Sequence, residues 1–289
     1  MPSNSKAQCY QSQHLRSLFP YVFASIILMH ILYVTIRWMY QNNWTHLLGL
    51  SPLMDEAMCD ADESNIKCGK PDVFAFQIMS GLVFLVIGCW AFYDWHVSRR
   101  WRNKEMITAA QRLYGHQSTA QWITVLNLAY QVWDFVVSFT IPEMCTWIMM
   151  THHAVAAILA FSAIYNDMMS YYALFFLGIS EVSSIFLVAM DLPRYLAPGN
   201  ESILYLFSKH GAAPLFAISF IFYRVVLWWP YSLQLYRDVS EVVSSKKAEE
   251  LRPRNGWVLN MWLFFNLPMG FLQLYWMSII LKSIYEMLS

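Results

Sequence analysis

Residues 171–190 read YYALFFLGISEVSSIFLVAM, and this stretch decides the class of fold. Among these consecutive residues only Glu181 carries a charge. A helix needs about 20 mostly apolar residues to cross the roughly 30 Å of hydrocarbon in a bilayer. Because backbone polar groups find no water at that depth, a continuous apolar run of this length is predicted to be helical. The stretch therefore predicts a transmembrane helix.

Six further stretches of the chain have the same character. Together they predict an all-α, polytopic integral membrane protein with about seven transmembrane helices. Tryptophan and tyrosine cluster at the ends of these stretches, as is usual for rings that lie at the depth of the lipid headgroups. The seven stretches run near Leu18–Trp38, Val73–Tyr93, Trp122–Ile141, Trp147–Tyr165, Tyr171–Met190, Ala212–Tyr231 and Trp257–Leu281.

The composition of the chain agrees with this class. Of its 289 residues 57% are hydrophobic and 13% are charged, whereas a soluble domain carries about 25% charged residues. The formal net charge is zero, which gives no electrostatic case for nucleic-acid binding, since that calls for a basic face or stripe. Membrane lipids are the expected partners, other membrane-protein subunits are a further kind, and no nucleic acid is expected.

The chain divides after its first apolar stretch. Residues 1–70 hold an N-terminal tail, the first transmembrane helix and an acidic loop, and residues 71–289 hold a six-helix membrane domain. Cys59 and Cys68 in the acidic loop either form a disulfide or remain free thiols. Lysine and arginine favour the loops on the side of the N-terminus by twelve to five, which predicts that this side is cytosolic, or faces a matrix or stroma.

The first twenty residues contain no acidic side chain, a feature shared with transit peptides. The location predicted for this membrane protein is the endoplasmic reticulum or another endomembrane. A mitochondrial or plastid membrane stays open as the alternative.

Polar residues at membrane depth mark candidate functional sites, because each is costly to bury in hydrocarbon. The third stretch carries polar residues at steps of four, three and four, which place them on one helical face. That face is expected to point into the bundle, where it either joins helices through hydrogen bonds or lines a polar cavity. Its members are Asn127, Gln131, Asp134 and Ser138, with Tyr130 beside them.

Two adjacent histidines, His152 and His153, lie near the start of the fourth stretch. Neighbouring residues project about 100° apart on a helix, so one ring can face a cavity while the other faces a neighbouring helix. Taken alone, such a pair also fits packing near the membrane surface. The other histidines are scattered singly along the sequence, and no metal site is predicted.

Charged, hydroxyl and amide side chains also lie deep in the last three stretches. They are Glu181 and Ser184 in the fifth, Arg224 in the sixth, and Asn266 and Gln273 in the seventh. A buried charge left alone costs several kcal/mol. We therefore predict that Arg224 pairs with Glu181 or with Asp134.

In these residues the chain resembles the TLC-domain family, which includes the translocating-chain-associated, longevity-assurance and ceroid-lipofuscinosis proteins. The resemblance covers residues 70–286. The pieces that carry it are, in chain order, Tyr130-x3-Asp134, Thr151-His152-His153, Tyr171-Tyr172-x5-Gly178-Ile179-Ser180-Glu181-Val182-Ser183-Ser184, Phe222-x-Arg224 running to Pro230, and Leu272-Gln273-x2-Trp276.

This resemblance implies a TLC-type helical bundle around a lipid-accessible cavity. In the ceramide synthases of the family, a histidine pair that matches His152 and His153 serves transfer of an acyl group from acyl-CoA to a sphingoid amine. Those enzymes carry a second acidic signature, His-Asp-x-x-Asp, where this sequence has Gly178-Ile179-Ser180-Glu181-Val182-Ser183-Ser184. The chain therefore resembles the branch of the family outside the ceramide synthases.

Two functions remain as hypotheses. The favoured one is lipid binding in a polar pocket inside the bundle, in membrane lipid homeostasis or as a lipid-binding accessory subunit of a membrane complex. It needs no cofactor. Its predicted lipid-contacting residues are Arg224, Asn127, Gln131, Tyr130, Ser184 and Gln273.

The alternative is an acyl-CoA-dependent N- or O-acyltransferase, with acyl-CoA as the co-substrate. His152 or His153 would take a proton from the attacking group or accept the acyl group. Glu181 or Asp134 would orient the imidazole, and Arg224 would hold a phosphate or carboxylate.

Overall fold

The computed structural model describes residues 4–48, 70–98, 108–196, 202–245 and 256–288. Within these ranges the chain is helical and no β-strand element occurs. The acidic loop with Cys59 and Cys68, and the basic run at 99–104, lie outside the described residues. The two alternatives for these cysteines, a disulfide or free thiols, both stand as predicted from the sequence.

Most helices follow one another through short connections, and several are extended by a 3-10 or π-helical turn. In chain order they are α1 (Asn4–Gln41), a 3-10 turn (Trp44–Leu48), α2 (Pro71–Phe92) with a π turn (Tyr93–Val97), α3 (Ala109–Tyr114), α4 (Ser118–Ser138), α5 (Trp147–Asn166), α6 (Ser170–Leu177), a 3-10 turn (Ile179–Glu181), α7 (Val182–Asp191) with a 3-10 turn (Leu192–Tyr195), α8 (Ile203–His210), α9 (Ala212–Ser219), a π segment (Phe220–Val226), α10 (Trp228–Ser244) and α11 (Gly256–Leu288).

The protein is an all-α polytopic membrane protein. Within the described part of the chain, six helical segments are long and apolar enough to cross a bilayer. The remaining predicted stretch forms α4, whose 21 residues also have the length of a membrane span, but whose polar face lowers its hydropathy. The six segments are Ser17–Gln41, Pro71–Val97, Trp147–Asn166, Ser170–Tyr195, Ala212–Ser244 and Gly256–Glu286.

The segment quoted at the outset lies at the centre of the bundle. In Ser170–Tyr195, 67% of the most apolar window is buried, against 17% in α1 and in α11. The two outer helices therefore present most of their surface to lipid. The centre is tightly packed: a Cβ added at Gly88 of α2 would lie 2.9 Å from Ile185 Cδ1 of α7, so glycine at this position permits the close approach of these two helices.

Ion pairs fix the two ends of the bundle. At one end, here called the Asp72 end, Arg37 of α1 lies 2.9 Å from Asp72 at the start of α2. At the other, here called the Asp238 end, Arg112 of α3 contacts both carboxylate oxygens of Asp238 in α10 at 2.6 Å. Tyr172 of α6 donates a third hydrogen bond to the same carboxylate. Each cluster joins helices that are distant in sequence.

The predicted transmembrane stretch Tyr171–Met190 is confirmed within the span Ser170–Tyr195, and its helical geometry changes at Gly178. A Cβ at this position would lie 2.5 Å from the Leu174 carbonyl oxygen and 2.9 Å from Ala91 Cβ of α2. The chain passes from α6 through the 3-10 turn at Ile179–Glu181 before α7 begins. Close packing against α2 at a residue without a side chain accompanies this change of helical geometry.

The predicted stretch Ala212–Tyr231 is longer than expected and contains a change of helix type. The helical segment continues to Ser244, and Phe220–Val226 is π-helical. Within it the Leu227 amide donates to the Phe222 carbonyl, five residues earlier. Such wide turns inside α-helices frequently occur at functional sites.

Candidate functional site

The polar face of α4 points into the bundle, as predicted. Asn127, Gln131, Asp134 and Ser138 are each at most 2% exposed. Because no water reaches these groups from the membrane side, each must find its partner on a neighbouring helix or on α4 itself. The face is therefore a set of contacts between helices.

Asp134 is the centre of one group of contacts, here called the Asp134 cluster (Ser80, Tyr130, Gln131, Asp134, Ser138, His153). Tyr130 donates a hydrogen bond of 2.7 Å to one carboxylate oxygen of Asp134, and Ser138 donates one of 3.0 Å to the other. The Tyr130 hydroxyl also lies 3.1 Å from Ser80 Oγ of α2. The carboxylate thus holds α2 and α4 together through hydroxyl groups.

The His153 ring is enclosed by protein and is part of the Asp134 cluster. Its Nδ1 lies 2.6 Å from Gln131 Oε1, and its Nε2 lies 3.3 Å from Asp134 Oδ1. The residue is 6% exposed. With both ring nitrogens engaged by α4, the imidazole joins α5 to α4.

A second group, here called the Arg224 cluster (Ser180, Glu181, Ser183, Ser184, Arg224), contains the buried ion pair. Arg224 Nη2 lies 3.0 Å from Glu181 Oε2, and both side chains are almost fully buried. Of the two partners predicted for Arg224, the structure selects Glu181. Ser184 donates to the same carboxylate oxygen at 2.7 Å.

The irregular helical turns provide the remaining partners of Arg224. Its Nε donates to the Ser180 carbonyl oxygen and to Ser183 Oγ, both at 2.9 Å, and its Nη2 also lies 2.9 Å from Ser184 Oγ. Ser180 lies in the 3-10 turn that follows Gly178, and Arg224 lies in the π segment. The two departures from α-helical geometry face each other across this cluster.

A narrow cavity lies beside the Arg224 cluster. The open space within it is small, with room for about one or two water molecules. One wall carries polar groups, and the rest is apolar and aromatic. The lining residues are His152, Ala156, Leu159, Phe176, Leu177, Ser180, Glu181, Arg224, Trp228, Trp262, Asn266, Met269 and Gln273.

Polar atoms without a protein partner surround this cavity. His152 Nδ1, Trp228 Nε1 and both side-chain polar atoms of Gln273 are buried and make no hydrogen bond to any described residue, and all three residues line the cavity. Gln273 is 0% exposed and Trp228 3%. Buried polar groups in native proteins nearly always have a partner. Four polar atoms of the cavity wall are therefore left without a partner among the described residues.

The adjacent histidines point in different directions, as their spacing predicts. His153 faces α4, whereas His152 lines the cavity and contacts the Trp276 ring of α11 at 5.3 Å between ring centroids. The two imidazoles lie 5.3 Å apart. His152 is therefore the histidine of the pair that reaches the candidate site.

The predicted site residues fall into two sets. His152, Glu181, Arg224 and Gln273 line the cavity. The others do not line it: Asn127 donates to the Leu177 carbonyl oxygen at 2.9 Å, Ser184 donates to Glu181, and Asp134, Tyr130, Gln131 and His153 belong to the Asp134 cluster.

Sequence reasoning missed the aromatic and sulfur-containing side chains of the cavity. On α11 the lining residues Trp262, Asn266, Met269 and Gln273 repeat at steps of four, three and four, the spacing of one helical face. Only the two amides were singled out, because an apolar residue at that spacing equally predicts ordinary core packing. Trp228 lies one turn after Arg224, and its position in the sequence likewise predicts ordinary core packing as well as it predicts a cavity wall.

Within the described ranges, no group of three or more histidine, cysteine or acidic side chains is arranged to hold a metal ion. The polar groups at the cavity are one imidazole, two amides, two indoles, a serine and a buried ion pair. These groups donate and accept hydrogen bonds and can transfer a proton.

A helical bundle with a buried polar cluster beside an internal cavity defines a polytopic membrane protein with an intramembrane site. The family model described as TLC domain matches residues 73–282, and the chain belongs to this family. That range covers the helices from α2 to α11 and includes every residue of both clusters. No curated protein matches the chain. Proteins of this family are generally related to membrane lipids.

Proposed function

We propose that the protein binds a membrane lipid in the cavity between α5, α6, α10 and α11. In this role it acts in membrane lipid homeostasis or as a lipid-binding accessory subunit of a membrane complex. The observation that carries the proposal is the set of unpartnered polar atoms on His152, Trp228 and Gln273 at the cavity wall.

The energetics favour an occupant. An unsatisfied buried donor or acceptor costs about 1–3 kcal/mol, and four such atoms surround this one cavity. A bound group that completes their hydrogen bonds would remove that cost. Water could satisfy some of them, and a lipid headgroup could do so while its chain replaces solvent along the rest of the wall.

The wall has the two-part character that an amphipathic ligand needs. Ala156, Leu159, Leu177 and Met269 provide apolar surface beside the polar groups. Ligand sites typically combine mostly apolar walls with a few placed polar groups. The bundle lies in the bilayer, so its ligand can arrive from the membrane without crossing water.

The test compares the lipids that co-purify with the wild-type chain and with Gln273→Leu, extracted into nanodiscs and measured by mass spectrometry. We expect the wild type to retain one lipid class in stoichiometric amount and Gln273→Leu to lose at least nine-tenths of it. Gln41→Leu makes the same chemical change at an exposed position and should retain the lipid. Identical lipid profiles for all three proteins would contradict the proposal.

A second candidate function, acyl transfer, has one specific observation in its favour. The His152 imidazole lies at the cavity wall next to the Glu181–Arg224 pair, and its Nδ1 is not engaged by protein. As a general base it would take the proton of an attacking hydroxyl or amine as that atom attacks the thioester of acyl-CoA, with the CoA thiolate as leaving group. Geometry assigns this role to His152 in preference to His153.

Acyl transfer is tested with labelled long-chain acyl-CoA and a mixed lipid extract. Wild type, His152→Ala and the control Gln41→Leu are incubated in nanodiscs, and products are identified by mass spectrometry. A labelled acylated lipid that forms with wild type and control but not with His152→Ala would establish the enzyme. Label in none of the three would leave lipid binding as the function.

The organelle is part of the same proposal. We place the protein in the endoplasmic reticulum or another endomembrane, with a mitochondrial or plastid membrane as the alternative. Fluorescence of the tagged full-length chain against organelle markers distinguishes these locations.

A further inference from the structure

The charge balance of the cavity wall carries information on the ligand. Apart from His152, the ionisable side chains among the described residues that line the cavity are Arg224 and Glu181. They are paired at 3.0 Å. The wall therefore offers a bound group no uncompensated positive charge from Arg224.

Arg224 is also occupied by other partners. Its Nε contacts the Ser180 carbonyl and Ser183 Oγ, and its Nη2 contacts Glu181 and Ser184 Oγ. A phosphate or carboxylate that approached the guanidinium would meet the Glu181 carboxylate at the same wall. In a site removed from water, that like-charge repulsion is weakly screened. This geometry opposes the use of Arg224 as an anion-holding residue, the role that the acyltransferase hypothesis gave it.

The unpartnered atoms call for a ligand that both donates and accepts. Trp228 Nε1 is a donor only, the Gln273 amide has one donor and one acceptor group, and His152 Nδ1 can be either. A hydroxyl or amide group offers both a hydrogen to Gln273 Oε1 and a lone pair to Trp228. A fully ionised phosphate offers acceptors alone and would leave Gln273 Oε1 without a partner.

We infer that the cavity binds an uncharged lipid whose head carries hydroxyl or amide groups, in preference to an anionic lipid. This inference rests on the proposed lipid-binding function and names the chemical class of its ligand. The apolar part of the wall contacts hydrocarbon, and the polar part completes the hydrogen bonds of His152, Trp228 and Gln273.

The test uses two pairs of photoreactive lipids that differ by one anionic group. The first pair is a diacylglycerol and the phosphatidate with the same acyl chains, and the second is a sterol and its 3-sulfate. Each is incorporated at equal amount in nanodiscs with the full-length chain, irradiated, and mapped to peptides of α5 and α11. We expect at least tenfold more cross-linking of cavity peptides by the uncharged member of one or both pairs.

The outcomes separate the inference from the function on which it rests. Equal or stronger labelling by the charged members would overturn the preference and leave lipid binding in place. No labelling of cavity peptides by any of the four probes would overturn the lipid-binding proposal, and the inference with it. Labelling that persists in Gln273→Leu at the wild-type level would place the lipid elsewhere and overturn both.

A charge variant tests the cause of the preference. Glu181→Gln removes the counter-charge of Arg224, so the ratio of diacylglycerol to phosphatidate labelling should fall at least tenfold, while Gln41→Leu keeps the wild-type ratio. An unchanged ratio in folded Glu181→Gln would overturn the argument from charge balance. If that variant does not fold, Gln273→Leu tests the other half: it should reduce labelling by the uncharged probe more than labelling by the charged one.

Discussion

At the scale of single residues, the Arg224–Glu181 pair buries two opposite charges inside a membrane protein. Both side chains are at most 8% exposed, and they lie 3.0 Å apart. Desolvating two charges costs several kcal/mol each, and their mutual attraction offsets that cost only while both are present. Removal of one partner is therefore predicted to be worse than removal of both.

Arg224→Met should lower the free energy of unfolding by about 3–5 kcal/mol, because it leaves the Glu181 carboxylate buried without its counter-charge. The double variant Arg224→Met/Glu181→Leu should recover most of that loss. Thermal unfolding in nanodiscs, followed by tryptophan fluorescence, measures both effects.

Lys282→Met is the control, since it removes one member of an exposed pair 3.8 Å from Glu286 and such pairs contribute little. A double variant as unstable as Arg224→Met alone would show that the two charges do not depend on each other.

The two adjacent histidines provide a matched experiment within the chain. His153→Ala leaves Gln131 and Asp134 short of a partner and should cost about 1–3 kcal/mol of stability. His152→Ala removes a ring whose Nδ1 has no protein partner, so it should cost less stability but release the co-purified lipid. Unfolding midpoints and lipid content measured on both variants give the comparison. The reverse assignment of the two effects would contradict the geometry.

At the scale of elements, irregular turns decide where the site forms. The 3-10 turn at Ile179–Glu181 and the π segment at Phe220–Val226 place the Ser180 carbonyl and the Arg224 guanidinium within 2.9 Å. In a regular α-helix, carbonyl oxygens are bonded to amides four residues on, so such an additional contact inside a span depends on a local change of helix geometry.

Gly178→Ala is predicted to disturb this arrangement. The added Cβ would lie 2.5 Å from the Leu174 carbonyl oxygen and 2.9 Å from Ala91 Cβ, so α6 or α2 must shift, and overpacking of this kind typically costs about 1–3 kcal/mol. The thermal midpoint and the lipid content should both fall.

Gly256→Ala at the start of α11 is the matched control, because a Cβ there meets nothing within 4 Å. A Gly178→Ala variant as stable as Gly256→Ala would show that the chain relaxes without strain at Gly178.

At the scale of the whole molecule, the Asp238 end holds together parts of the chain that are far apart in sequence. The Arg112 guanidinium binds both oxygens of Asp238, and Tyr172 binds one of them. Hydrogen bonding to Asp238 raises the pKa of Arg112 above its ordinary value, so this cation stays charged at any pH at which the protein is studied. The cluster joins α3, α6 and α10.

Arg112→Lys keeps the charge but loses the two parallel hydrogen bonds, and it should lower the unfolding midpoint measurably. Arg112→Met should lower it further, because Asp238 is then buried without a counter-charge. Arg194→Lys changes an exposed arginine that pairs with Asp191, and it should leave the midpoint unchanged. If Arg112→Lys matched the wild type, charge alone rather than bidentate geometry would hold this end.

Much of the fold could be predicted because its causes are local. Each transmembrane stretch is a run of apolar residues long enough to cross the bilayer, and the polar face of α4 is a matter of helical spacing. That Asn127, Gln131 and Asp134 are buried followed from the impossibility of a polar face in lipid. The pairing of Arg224 with an acidic residue followed from the cost of a lone buried charge.

The sequence by itself determined that this is an all-α membrane protein of the TLC-domain family with polar residues buried inside its bundle. Tertiary structure alone decided that Arg224 pairs with Glu181 rather than Asp134, that His152 rather than His153 reaches the cavity, and that the helical geometry changes at Gly178. The physical reason is the distance along the sequence over which each cause acts. Hydropathy and periodicity are properties of one helix, whereas these choices depend on how helices distant in sequence pack against each other.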